Sequence, residues 1–256
     1  MRNPIRVLLA VPALAALLVW SGCETAVPAP CQLQPSGNGG YAVQFTLDGG
    51  TAGCPAQFGD WWGFDPYINL ADPSKGPLII AVSSQSTYPD PPSATDPIYS
   101  KGTFDSVNPL PDQTCKMASM TPMTTKLYNP PGDLTGTVTG TFTYALSNMT
   151  WLETALYLGT QWEGTVHYTS STGCNGTYSA RAITPPLVCT KKSDCDPSPT
   201  DPTVAPSGIN PAYNTTCDLS LWAQQVAALI TGSAPDPTVG ICFFAEPFPA
   251  TTGFKR

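Results

Sequence analysis

Large apolar residues alternate with polar ones at Tyr41, Val43, Phe45 and Leu47. That two-residue period is the signature of a half-buried strand, and Asp48-Gly49-Gly50 closes it with turn chemistry. Leu78 to Val82 is continuously apolar and predicts a strand covered on both faces. Ile98 to Phe104 predicts a weaker one. The longest alternation runs from Thr135 to Leu146, with Val138, Phe142, Tyr144 and Leu146 on one face and Thr137, Thr139, Thr141 and Thr143 on the other. Threonine is β-branched, so it suits a strand and wets its outer face without charge. Trp162, Val166 and Tyr168 repeat the pattern in 161–169, and Tyr178 marks a further strand in 177–184. Short glycine-containing links between these strands predict an antiparallel meander. Trp151 to Leu158 fits one or two helical turns as well as it fits a strand.

Beyond Pro185-Pro186 the pattern changes. Cys189 to Pro211 is rich in Pro, Asp and Ser and buries little. Asp218 to Ile230 then places Leu219, Trp222, Val226, Leu229 and Ile230 at helical spacing, with Asp218 or Ser220 to cap it and Gly232 to end it. The expected protein is all-β. A body over 41–186 forms an antiparallel β-sandwich or flattened barrel, and 187–256 forms a disulfide-stapled, loop-rich C-terminal extension with one short helix.

Composition supports this reading. Of 256 residues only 11% are charged, where roughly 25% is usual. With 22 Gly and 29 Pro, the chain is unsuited to a long-helix bundle or coiled coil. The net charge of −7 leaves no cation excess to neutralise phosphates, so nucleic acid is excluded as a partner.

The N-terminus has its own chemistry. Arg2 and Arg6 precede an uncharged run from Val7 to Trp20, fourteen residues long. As a helix it would span about 21 Å, short of the roughly 30 Å of a bilayer core, which fits a cleaved export signal over 1–22. Trp20-Ser21-Gly22-Cys23 resembles the lipobox of bacterial lipoprotein precursors: an apolar residue, two small residues, then cysteine. Trp20 departs from the Leu, Val, Ile or Ala usual there. The resemblance covers residues 1–23 and implies that Cys23 receives a diacylglyceryl group and becomes the acylated N-terminus. Residues 23–40 then read as a lipidated tether. Glu24 follows Cys23 where an Asp would resemble an inner-membrane retention signal, which points to the outer membrane.

Nine cysteines are an odd number for an exported chain. With Cys23 given to lipid, Cys31, Cys54, Cys115, Cys174, Cys189, Cys195, Cys217 and Cys242 remain for four bridges. Eight cysteines allow 105 pairings. Cys189-x5-Cys195 followed by two later cysteines resembles small disulfide modules of bacterial envelope proteins. That resemblance implies first-to-third and second-to-fourth pairing, Cys189–Cys217 and Cys195–Cys242. No C-x2-C pair occurs, so no zinc site is expected.

Catalytic motifs are absent: there is no G-x-S-x-G, H-E-x-x-H, Walker loop or dinucleotide fingerprint. The single histidine, His167, is expected to face solvent from a strand. Glu153 and Glu163, each near a tryptophan (Trp151, Trp162), are the candidate carboxylate pair of a glycosidase-like hydrolase. Asp194, Asp196 and Asp201 form an acidic loop without the D-x-D-x-D-G order of a calcium site. Phe58 to Tyr67 reads as an aromatic loop. Trp61 and Trp62 either form a stacking platform for a sugar or plug the end of the β body. Asn148, Asn175 and Asn214 begin N-x-Thr sequons. Function is expected to be non-enzymatic: a lipid-anchored envelope protein with a binding or structural role. It is held to the membrane by its lipid, needs no cofactor or metal, and has an envelope protein or glycan as partner. The alternatives are a hydrolase or an accessory subunit of an envelope assembly.

Overall fold

The computed structural model describes residues 30–35, 37, 39–67, 72, 76–83, 98–129, 137–153, 158–199, 203 and 205–248. The signal segment, Cys23 and Asp201 lie outside them. Nine strands build one antiparallel sheet: β1 Tyr41–Gly50, β2 Gln57–Tyr67, β3 Leu78–Ser83, β4 Ser100–Thr103, β5 Thr114–Ser119, β6 Met123–Asn129, β7 Thr137–Glu153, β8 Leu158–Ser170 and β9 Asn175–Ile183. Their order is β4-β3-β2-β1-β9-β8-β7-β5, with β6 also paired to β7. The sheet curls until its two ends meet. Gly102 on β4 bridges Met120 just after β5, and the Thr121 amide donates to the Lys101 carbonyl.

One face of this curled sheet encloses an aromatic core. Tyr41, Phe45, Trp62, Phe64, Phe104, Tyr144, Trp151, Trp162 and Tyr178 are all fully buried there. Neighbouring rings meet mostly edge-on or tilted, as between Phe64 and Trp151 at 6.1 Å and Phe104 and Trp151 at 5.1 Å, the arrangement their quadrupoles favour.

β7 is a single seventeen-residue strand, which settles the Trp151 region as strand up to Glu153. Its register with β8 shifts between Ser147 and Thr150, where Asn148 takes φ 52°. The extra residue is a bulge. Tyr144 and Leu146 point inward before it, and Met149 and Trp151 after it, so the inward parity changes from even to odd. Residues 154–157 of the segment that also suited helical turns lie outside the described residues.

Phe58 to Tyr67 is strand β2 and not a loop, paired with β1 and β3. Its glycines and aspartates have packing roles. Gly59 lies under a helix, and buried Asp60 accepts the Trp61 amide and the Trp62 indole N–H, each at 2.7 Å, together with the Ser83 hydroxyl.

The extension folds as β10 Val188–Cys189, a 3-10 turn Lys192–Cys195, β11 Thr215–Asp218, α1 Leu221–Thr231 and β12 Gly240–Phe244. The strands form a separate sheet in the order β10-β12-β11. A second core joins this layer to the outer face of the curled sheet, through Ala42, Leu152 and Ile183 on one side and Trp222, Ala223, Val226, Ile241 and Phe243 on the other. α1 begins after Ser220 and ends at Gly232 in the left-handed conformation. Its buried stripe is Trp222, Ala223, Val226 and Ala227, so Leu219 and Leu229, expected in the core, are exposed. Small alanines let the helix approach the bare backbone of Gly59, where a Cβ would meet Trp222 and Val226 at 2.7 Å.

Four bridges staple the molecule: Cys31–Cys115, Cys54–Cys174, Cys189–Cys217 and Cys195–Cys242. The first two lie in the curled sheet and its N-terminal strap. The other two join first to third and second to fourth cysteine within the extension.

Candidate functional site

Three parts of the chain converge at the end of the sheet where β1 starts. Within the 23–40 segment, expected as a lipidated tether, the chain is docked on the body there from Cys31 onward. Cys31 is bonded to Cys115 and donates its amide to the Val107 carbonyl at 2.7 Å. The Gln32 amide donates to Glu153 Oε1 at 3.3 Å, and the Gln34 amide to the Tyr41 hydroxyl at 3.1 Å. Tyr41 in turn donates to the Gly159 carbonyl. Gly159 sits at φ 54°, and a Cβ on it would meet the Gln32 carbonyl at 2.4 Å and Leu33 Cα at 2.5 Å. Only glycine lets the strap cross the start of β8 so closely.

Glu153 is the chemical centre of this junction. It is 2% exposed, and its Oε2 has no hydrogen-bond partner. Burial pushes its carboxyl up to about 8, against the opposing pull of the Gln32 and Gly159 amides. Burial also raises Tyr41 far above the ordinary phenol range. Tyr213, from the extension, shares a hydrogen bond with Thr160 Oγ1 and is pushed up to about 12, again mainly by burial. At neutral pH the junction therefore holds neutral, proton-bearing groups.

Beside Tyr213 the extension opens a cleft of about 540 Å³ lined by Lys192, Ser193, Asp196, Tyr213, Asn214 and Thr215, among others. Asn214 Nδ2 donates to Glu246 Oε1 at 2.8 Å, which fixes one wall. The lining mixes donors, acceptors and one charge of each sign, which is binding chemistry more than acid–base chemistry. A second recess between β2 and α1, of about 550 Å³, is lined by Phe58, Gly59, Ala228, Leu229 and Pro235 with Gln225.

The other sequence candidates are dispersed. Glu163 faces Arg181 across β8 and β9. Burial raises its carboxyl and the arginine opposes that rise. Glu153 is paired with Leu158, five residues along β8 from Glu163, a run of roughly 16 Å at strand rise. The two carboxylates are thus not brought together as cross-strand neighbours. Arg181 is committed to the joint between layers: it lies over the Phe243 and Phe244 rings and donates to the Glu246 carbonyl. His167 is exposed on β8. Trp62 is fully buried in the core, and half-buried Trp61 packs against the second core with its indole N–H donating to the Gly39 carbonyl. Strand alternation sends the two rings to opposite faces, so they do not form the shared stacking platform that the sequence suggested.

Asp194 spends its carboxylate on its own turn. It accepts the Thr190 amide and hydroxyl and the Lys191 amide, and these bonds hold it below the usual carboxylate range. The Asp196 carboxylate accepts the Ser198 amide. The sulfurs of Cys189, Cys195 and Cys242 lie within 4.8 Å of one another, but all three are in disulfides and offer no thiolate to a metal. Among the described residues no helix is long and apolar enough to cross a membrane.

Sequence reasoning missed Gln32, Tyr41, Gly159 and Tyr213 as partners of Glu153. They come from three stretches, the strap with the start of β1, the start of β8 and the extension, and carry no local motif. Comparison with known families finds the MlpA family model matching residues 39–185, a span that opens just before β1 and closes just after β9. The match covers more than half of the chain, and the protein belongs to the MlpA family. No curated protein and no solved structure matches it.

Proposed function

We propose that this member of the MlpA family is an exported, lipid-anchored protein of the bacterial cell envelope, whose stapled β body binds a partner or has a structural role and does no catalysis. The observation that carries this reading is the cysteine count. Of nine cysteines, eight are consumed in four bridges, and the one left over is Cys23, directly after Trp20-Ser21-Gly22. A leftover thiol at that position fits a lipid acceptor. Two or three acyl chains suffice for stable anchoring, which an acidic protein needs because an anionic bilayer would not attract it.

The Cys31 clamp gives the anchor a geometry. Eight residue steps separate Cys23 from Cys31, a reach of at most about 28 Å. The end of the sheet bearing Cys31, Val107 and Gly159 then faces the bilayer. The opposite end, where Cys54–Cys174 ties the turn after β1 to the turn after β8, faces away. An envelope protein or glycan is the partner class for that distal end and for the cleft. Glu24 after Cys23 favours the outer membrane. The buried position of Glu153 and its role in holding the strap favour binding over hydrolysis.

The test is the intact mass of the membrane-extracted protein, with and without reduction and alkylation. The expected mass begins at Cys23, carries two or three acyl chains, and gains eight alkyl groups only after reduction. An unlipidated chain beginning at any other residue would overturn the anchor.

A further inference from the structure

The sheet of the extension carries Cys189, Cys217 and Cys242, and the 3-10 turn beside it carries Cys195. Cys217 and Cys242 lie directly opposite each other on β11 and β12. The Cys242 amide donates to the Leu187 carbonyl at 2.8 Å, on the β10 side of β12. Its backbone polar groups therefore point away from β11, and Cys217/Cys242 is a non-hydrogen-bonded pair. Such pairs hold their Cα atoms about 4.5 Å apart, inside the roughly 4.4–6.8 Å that a disulfide spans. Yet Cys217 is bonded to Cys189 and Cys242 to Cys195. The sulfurs of Cys189 and Cys195 are themselves within 4.8 Å of each other. Beside the pairing present, the same four residues can form a second complete set, Cys217–Cys242 with Cys189–Cys195.

Exposure distinguishes the four. Cys189, Cys195 and Cys242 are buried, while Cys217 is half-buried. An incoming thiolate therefore reaches the Cys217 sulfur first.

We infer that this cluster is a thiol–disulfide exchange site, switched between its two pairings by an external thiol acting as catalyst. The external thiolate attacks Cys217 Sγ. The Cys189–Cys217 bond breaks, leaving a mixed disulfide on Cys217 and a thiolate on Cys189. The Cys189 thiolate attacks Cys195 Sγ, forming Cys189–Cys195 and expelling the Cys242 thiolate. Cys242 then attacks Cys217 Sγ, forming Cys217–Cys242 and returning the external thiolate. Two disulfides are present before and after, so no net oxidant or reductant is consumed. The switch acts on the neighbouring cleft, because Cys195 is part of its lining together with Asp196 and Ser198. In the second pairing that wall is tied to β10 and no longer to β12. The exchange draws on the geometry of the extension alone, so it stands or falls separately from the lipid anchor.

The test uses the oxidised full chain with catalytic reduced glutathione at pH about 8, where a useful fraction of thiol is ionised. Acid quench, alkylation and peptic mapping at acid pH then read the pairs. The expected result is a fall in Cys189–Cys217 and Cys195–Cys242 matched by the appearance of Cys217–Cys242 and Cys189–Cys195, with Cys31–Cys115 and Cys54–Cys174 unchanged. Persistence of both native pairs overturns the proposal, as does a glutathione adduct on Cys217 with Cys195–Cys242 left intact, and as does equal scrambling of all four bridges. Cys217→Ser gives a second reading without added thiol. The free thiol should be found on Cys242 as well as on Cys189, and a thiol confined to Cys189 would sink the exchange step.

Discussion

Glu153 accepts the backbone amide of Gln32 at 3.3 Å, across 121 residues of chain, while its second carboxylate oxygen has no partner. A carboxyl held this way is a stability switch as well as a clamp. Its folded-state value of about 8 lies above the 4.5 of an unperturbed glutamate carboxyl, so the folded protein binds the proton more tightly. Its contribution is fully present below pH about 4.5 and is lost as pH rises toward 8. Glu153→Gln keeps the shape and the acceptor for Gln32 but has no charge to bury. The variant should unfold like the parent at pH about 5 and be the more stable of the two above pH about 8, by a few kcal/mol at most. Thermal melts across that range check it, and a variant with the parent's pH slope would show that Glu153 is already ionised in the fold.

Trp61 and Trp62 are neighbours with different consequences. Trp62→Ala removes a fully buried indole from the aromatic core and takes one donor from buried Asp60. A loss of about 3–5 kcal/mol is expected from the cavity alone. Trp61→Ala loses half-buried contact with the extension and the bond to Gly39. It should destabilise less and loosen the extension selectively. Denaturant titrations of the two variants separate these outcomes. Equal, near-neutral effects would restore the surface-platform reading.

Strands whose alternation survives without interruption were legible in the sequence: β1, the first half of β7, β8 and β9; β3 was legible from its continuous apolar run, although its residues alternate between buried and half-buried instead of being covered equally on both faces. β2 was not, because Gly59, Asp60 and Gly63 are turn formers locally, and their reason for being there is a helix and a buried hydrogen-bond cluster supplied from elsewhere. β5 and β6 are short, and among their described side chains the buried apolar markers are Cys115, Met117 and Met123. They exist because long β7 offers each of them half its length. The bulge at Asn148 reversed the parity that periodicity relies on. The candidate junction was visible only as Glu153; its partners depend on the strap's path, which the Cys31–Cys115 bond determines and no local pattern encodes.

Gly59 tests how the extension is seated. A side chain there meets Trp222 and Val226 at 2.7 Å and the Trp222 carbonyl at 3.0 Å, so helix or strand must move. Gly59→Val is expected to cost about 1–3 kcal/mol by overpacking. The loss should appear first as faster hydrogen exchange in α1, with β7 and β8 protected as before. Unchanged exchange in α1 would mean that the helix does not rest on β2.

The last prediction concerns the strap itself. Cys31–Cys115 closes a separation of 84 residues, so replacing both by serine frees the unfolded chain and should cost about 2–5 kcal/mol. Global destabilisation alone would not distinguish this bridge from the others. The local consequence does. Without it, the strap keeps the Gln32 and Gln34 amide bonds, the Cys31 amide bond to Val107 and the burial of Leu33, and the amide bonds individually contribute about 0.5–1.5 kcal/mol. Residues 30–35 should then open in a local equilibrium well below global unfolding, and a nonspecific protease should cut there under conditions that leave the sheet intact. Opening also exposes Glu153 to water, so its carboxyl should return toward the ordinary range and the pH dependence described above should shrink. Replacing Cys54 and Cys174, at the far end of the sheet, should lower stability without either effect. If cleavage within 30–35 is no faster in the Cys31→Ser/Cys115→Ser protein than in the Cys54→Ser/Cys174→Ser protein, the strap is held by burial of Leu33 and its amide bonds, and the disulfide acts only on the unfolded chain.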